Sequence, residues 1–191
     1  FIARAPIYFL IWGVMITLLN RWSGEQDSSS DPSLLRKLQN LSGPGLVIFA
    51  LSGTFAATDW VMSLEPEWFS SVFPGIVMIG WALSAIAFAI LVISLLITQS
   101  PLRDLAAPKY LNDLGNMMFA FMLVWTYLQV GQLIIVWSGN LTEEIPRFLR
   151  RMTPGWEQIT ILLAVFHFFV PFILLLQRSI KRRVQSLWKM A

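Results

Sequence analysis

Five long apolar stretches account for most of this 191-residue chain, and they decide the solvent in which it folds. Crossing about 30 Å of hydrocarbon takes about 20 helical residues at 1.5 Å each. Residues 1–19, 45–64, 74–98, 111–137 and 156–177 meet that requirement. Each is too long for a strand, and a backbone in lipid must satisfy its own hydrogen bonds, which leaves helices or closed barrels. The period-2 alternation of a barrel is absent, so the sequence predicts an all-α, polytopic membrane protein with about five transmembrane helices in one domain.

Composition agrees and removes several functions. Apolar residues make up 56% and charged residues 13%, against about 25% charged in soluble proteins. There is no cysteine and one histidine, His167. An iron–sulfur cluster needs thiolates, and a bis-histidine haem needs a second imidazole. Eight methionines are present, with no spacing that points to a His/Met haem. We therefore expect no metal and no cofactor bound by this chain alone. The net charge of +3 does not indicate nucleic acid, because Lys and Arg cluster at the ends of apolar runs, which is the membrane pattern.

The connections carry further expectations. Residues 23–31 read as a polar, flexible loop, part of a cytoplasmic loop spanning 20–44. Within it Leu34, Leu35, Leu38 and Leu41 recur at helical spacing opposite Arg36 and Lys37, as in a short helix on the membrane surface or one packed on the protein. Gly43 and Pro44 are expected to break it from the second span. One set of loops collects ten Lys and Arg (Arg21, Arg36, Lys37, Arg103, Lys109, Arg178, Lys181, Arg182, Arg183 and Lys189) and the other only four (Arg4, Arg147, Arg150 and Arg151). The richer face is expected to be cytoplasmic, with the C-terminus on that side. Trp60, Trp68, Trp137 and Trp156 then fall at the outer helix ends, as an aromatic belt. Glu143, Glu144 and Arg147–Arg151 form a charged outer platform, for partner docking or solvation. The tail from Arg178 to Arg183 suits anionic lipid head groups. The start at Phe1, inside an apolar run, reads as a missing N-terminal portion.

Ionisable residues inside spans are costly and therefore informative. Gly45, Ser52, Ala56, Asp59 and Ser63 share one face of the second span, a stripe that should meet protein or water. Asp59 is either paired across a helix contact, with Arg4 for example, or a proton-carrying carboxyl, or a quinone contact. Asp113 opens the fourth span beside Asn112 and Asn116, with Tyr127 deeper on the same side. It is either a first-turn carboxylate favoured by the helix dipole or the mouth of a polar path. Gln129 and Gln132 form a second polar patch, which interhelical hydrogen bonding explains. His167 lies mid-span among Phe166, Phe168 and Phe169. Pro171 cannot donate to the carbonyl of His167, four residues back. The imidazole is a packing residue, a proton relay or a quinone contact.

The segments ATDWVMSLEPEWFSSVFPGI (Ala57–Ile76), LNDLGNMMFAFMLVWTYLQVGQLIIVWSGNLTEEIP (Leu111–Pro146) and FHFFVPFILLLQRSIKR (Phe166–Arg182) resemble, in order and over most of the chain, the ActF-type membrane subunits of alternative complex III. That complex is a bacterial quinol:cytochrome c oxidoreductase, and these subunits are similar to the polysulfide-reductase (NrfD-like) membrane anchors. The resemblance implies the C-terminal half of a ten-helix subunit, here an up-down four-helix bundle plus a peripheral helix, in the bacterial plasma membrane. It implies partner subunits: a homologous membrane subunit, a multihaem cytochrome c carrying haem c, and an iron–sulfur subunit carrying the Fe–S clusters. Menaquinone or ubiquinone would be nearby. The family pattern commonly has a histidine where Asn112 stands, so a proton path opening there would rely on Asp113.

The resulting expectation is a non-redox membrane subunit with a proton path through Asp113, Tyr127, His167 and Asp59, and Ser52, Asn116, Gln129 and Gln132 as secondary polar groups. A quinone-binding subunit instead predicts a hydrophobic cleft lined by His167 or Asp59. A pure scaffold predicts that Asp59, Asp113 and His167 are dispensable. A stand-alone transporter is disfavoured, because five spans lack the repeat partner such folds use.

Overall fold

The computed structural model describes residues 2–29, 31–66, 68–97, 108–142 and 144–177. Among these the chain is all-helical, with five helices long and apolar enough to cross a membrane. It is a multi-pass membrane protein in architecture. The expectations placed on Arg103, Glu143 and the tail from Arg178 lie outside the described residues.

Residues 1–66 form one compact unit, a hairpin of α1 (Arg4–Ser28) and α2 (Pro32–Trp60), followed by a 3-10 turn at Met62–Leu64. Its connection is far shorter than the sequence predicts. Residues 23–28 are not a flexible loop but the last turns of α1, where Arg21 and Glu25 pair at 3.0 Å four residues apart, a spacing that supports helix. Nor is there a separate surface helix over 32–41. Pro32 sits at the start of α2, where its missing N–H costs nothing, and Asp31 caps it by accepting from the Ser33 amide at 2.9 Å. Pro44 lies inside the continuous helix. One absent donor is tolerated there. At 29 residues, α2 is about 43 Å long, more than the hydrocarbon requires.

The pairing of the two helices is antiparallel: Arg4 meets Asp59, Trp12 meets Ser52, and Met15 meets Gly45. Small residues permit the approach. Ala56, on the face shared by Gly45, Ser52 and Asp59, is buried, and a Cβ on Gly45 would lie 2.8 Å from Met15 Cε.

The second unit contains α3 (Phe73–Leu96), α4 (Pro108–Gly139), the short α5 (Ile145–Arg151) and a last span. That span is not one α-helix. It is α6 (Trp156–Leu163), a π-helical segment (Ala164–Phe169) and α7 (Val170–Leu176). The Val170 amide bonds the Val165 carbonyl, five residues back. The register widens immediately before Pro171, where the usual ladder lacks a donor. Leu83, Ile90, Leu111, Met118, Met122 and Leu175 build the core of this unit, and α4 packs on the last span through Phe119 and Phe172, 5.7 Å apart.

Hydrogen bonds from the Ser33 side chain and amide, in that order of weight, hold the Asp31 carboxyl below its ordinary value. The lowered folded value means that the cap stabilises α2 above the ordinary carboxylate range and is lost as pH falls through the lowered value. Protection of the Leu34 and Leu35 amides against hydrogen exchange, taken relative to their intrinsic rates, should fall over that acidic window, and Asp31→Ala should show the lower protection at neutral pH.

Candidate functional site

Among the described residues, both units bury polar groups within helices long and apolar enough to cross a membrane. In the hairpin, the stripe on α2 faces α1. Asp59 is buried, and its carboxylate accepts from Arg4 Nη2 at 2.6 Å and from the Tyr8 hydroxyl at 2.8 Å. Nearly two turns deeper, Trp12 Nε1 donates to Ser52 Oγ at 2.9 Å, and Ser52 in turn donates to the Ile48 carbonyl at 2.7 Å. A charge with no water around it is retained only when paired and hydrogen-bonded, and here each carboxylate oxygen has a donor. The Arg4 side chain is 56% exposed, so the buried carboxylate is one residue from the surface of the unit. Rings surround the pair: Trp60 lies 5.8 Å edge-on to Tyr8, and Phe9 stacks on Trp60 at 5.5 Å.

The pairing of Asp59 with Arg4 is the helix contact read from the sequence. Tyr8 and Trp12 were missed there. Their signal was the spacing of Arg4, Tyr8 and Trp12 at i, i+4 and i+8, a second stripe matching the one on α2.

In the second unit, His167 lies in the π-helical segment and packs on Trp125 with ring centroids 4.5 Å apart. Its Nε2 is enclosed and has no hydrogen-bond partner among the described residues. A cavity of about 370 Å³ borders it, walled by α3, α4 and the last span. Such a lone nitrogen was not visible in sequence, since the π turn that orients the ring cannot be read from composition.

The other expected path residues do not join His167. Asp113 is exposed and Tyr127 is 75% exposed. Both lie on α4 roughly half a turn away from buried Met122, on the side opposite the cavity wall, so α4 carries no continuous polar face from Asp113 to His167. Asn116 and Gln129 are exposed as well. Gln132 is buried and accepts from the Ser70 hydroxyl at 2.6 Å, a bond from α4 to the segment before α3 rather than one between two helices.

The outer platform also departs from expectation. Arg147 is buried, its guanidinium 3.3 Å over the Trp68 ring and 4.9 Å from Phe73. Trp68 is buried beneath that cation, a contact worth more as it is desolvated. Trp137 and Trp156 remain exposed. No group of three or more His, Cys, Asp or Glu able to hold a metal is present among the described residues.

No family model matches the chain, and no curated protein matches it.

Ser52→Ala should destabilise the hairpin by about 1 kcal/mol, because Trp12 Nε1 loses its acceptor, whereas Ser42→Ala, which removes only a bond to its own helix at Leu38, should be nearly neutral. Steric-trapping measurements of unfolding in bilayers compare the two.

Proposed function

We propose that this chain is a non-redox membrane subunit of a quinol:cytochrome c oxidoreductase of the alternative complex III type, handling protons for quinol oxidation carried out by neighbouring subunits. The reading begins from the resemblance of three long segments. Within the chain, the observation that carries it is Asp59: a carboxylate buried in a span, bonded at once to an exposed guanidinium and to a buried phenol. Arg4 links the carboxylate toward the surface of its unit. Tyr8 donates its hydroxyl to the other carboxylate oxygen, so Arg4 and Tyr8 hold the carboxylate in place, and Asp59 is the one of the three groups that would take up and release a proton.

Because Asp113 and Tyr127 are exposed and do not join His167, the proposal rests on the Asp59 cluster. The cytoplasmic placement of the C-terminus and the bacterial plasma membrane belong to the same proposal, as do the haem c and iron–sulfur partners.

The cavity beside His167 favours a second reading, in which the subunit also holds a lipophilic ligand. A pure scaffold uses the same Asp59 geometry as a helix clamp and differs in consequence. With the assembly in proteoliposomes, Asp59→Asn should leave quinol oxidation measurable and lower the number of protons moved per electron, and Tyr8→Phe should do the same to a smaller extent. An unchanged proton-to-electron ratio in Asp59→Asn would leave the scaffold.

A further inference from the structure

We infer that α5 and the exposed surface beside it form a docking site for an anionic phospholipid of the bilayer, with Arg150 and Arg151 on its phosphate and an apolar rim against its acyl chains. This goes beyond the proton-handling proposal and does not rest on it.

The depth of α5 is set by its neighbours. It lies in the connection between Gly139, where α4 ends, and Trp156, where the last span begins. Arg147 ties it to that level: the buried guanidinium sits 3.3 Å over the Trp68 ring and 4.9 Å from the ring of Phe73, the first residue of α3. Three spans thus end around α5, which places it where hydrocarbon gives way to head groups. Trp137 and Trp156, 79% and 56% exposed, flank it along the chain, and tryptophan is a side chain that settles at this boundary.

Charge identifies the head group. With 3.6 residues per turn, Arg150 and Arg151 fall on either flank of Arg147. Arg147 is turned inward, and the other two are exposed. Glu144 and Glu157 are the nearest acidic residues in sequence among the described ones, and neither arginine is ion-paired among those residues. Both cations stand in the last turn of α5, where they complement the helix dipole. That role uses their charge and leaves their N–H groups free. Two planar guanidinium forks, one residue apart, suit the oxygens of a phosphate.

The apolar rim identifies the rest of the ligand. Leu149, on the face opposite Arg147, and Met152, just past the helix, are 58% and 62% exposed. Cations beside exposed apolar side chains are the composition of a helix lying in the interfacial plane. An anionic lipid satisfies both halves, with phosphate on the arginines and acyl chains on Leu149 and Met152. A zwitterionic lipid brings its own ammonium group to the same place and gains less from the two cations.

The test compares lipids in membranes containing the full assembly. Phosphatidylglycerol and phosphatidylcholine probes of equal chain length carry a photoreactive group in the acyl chain close to the glycerol. The phosphatidylglycerol probe should label Leu149, Met152 or Trp156 saturably, with a preference of about tenfold over phosphatidylcholine. Arg150→Gln combined with Arg151→Gln should bring the two probes close to parity. Arg36→Gln combined with Lys37→Gln, an equal loss of charge at exposed positions of α2, should leave the preference intact. Equal labelling by the two probes, or an unchanged preference in the Arg150 and Arg151 double variant, would overturn the assignment. Loss of a neighbouring subunit from that variant would also overturn it, in favour of an acidic protein partner at the same arginines. Because labelling is read without turnover, its failure leaves the Asp59 proposal standing, and the reverse holds.

Discussion

A carboxylate inside a membrane-spanning helix is the constraint from which the first unit follows. Asp59 is tolerable at that depth only because α1 supplies two donors, Arg4 and Tyr8, at 2.6 and 2.8 Å. That demand fixes the antiparallel register of the hairpin. Once Arg4 lies opposite Asp59, Trp12 falls opposite Ser52 and Met15 opposite Gly45. Side chains along the seam must then be small, as Gly45, Ser52 and Ala56 are. Little hydrophobic force acts between helices in lipid, so a polar clamp and close packing have to supply the specificity that burial provides in water.

The second unit solves a related problem differently. Its core is apolar, and its one imidazole sits where the last span departs from α-helical register. Pro171 removes a donor just beyond His167, and the chain accommodates the gap with a wide turn rather than a break, since a break in lipid would leave several backbone groups without partners. The consequence is a histidine held beside a cavity instead of packed over its whole surface. Local backbone chemistry and the site thus have a common origin in a single residue.

Much of this was legible in the sequence, because lipid makes residue choice strict. The five spans follow from length and hydropathy, and α3 begins and ends within two residues of its expected bounds. The stripe of Ser52 and Asp59 was readable since polar atoms on an apolar helix have few places to go. What could not be read is where neighbouring stripes meet: Tyr8 is an ordinary span residue until α1 is placed against α2. Helix ends outside the bilayer were also misjudged. Gly43, Pro44 and the serines near residue 28 are breakers by composition, yet one capped start at Asp31 and helical pairing at Arg21 and Glu25 outweigh them. Tyr127 and Asp113 failed as partners of His167 for a simpler reason, since sharing a helix does not mean sharing a face.

The Asp59 carboxylate is held by a cation from α1, and exchanging the two charges tests that pairing most directly. Arg4→Asp and Asp59→Arg should each sharply lower the yield of folded, membrane-inserted protein, measured by detergent-extracted monodisperse fraction. The double exchange should restore more than half of it. A double variant no better than the worse single one, or an Arg4→Asp protein with normal yield, would contradict the account.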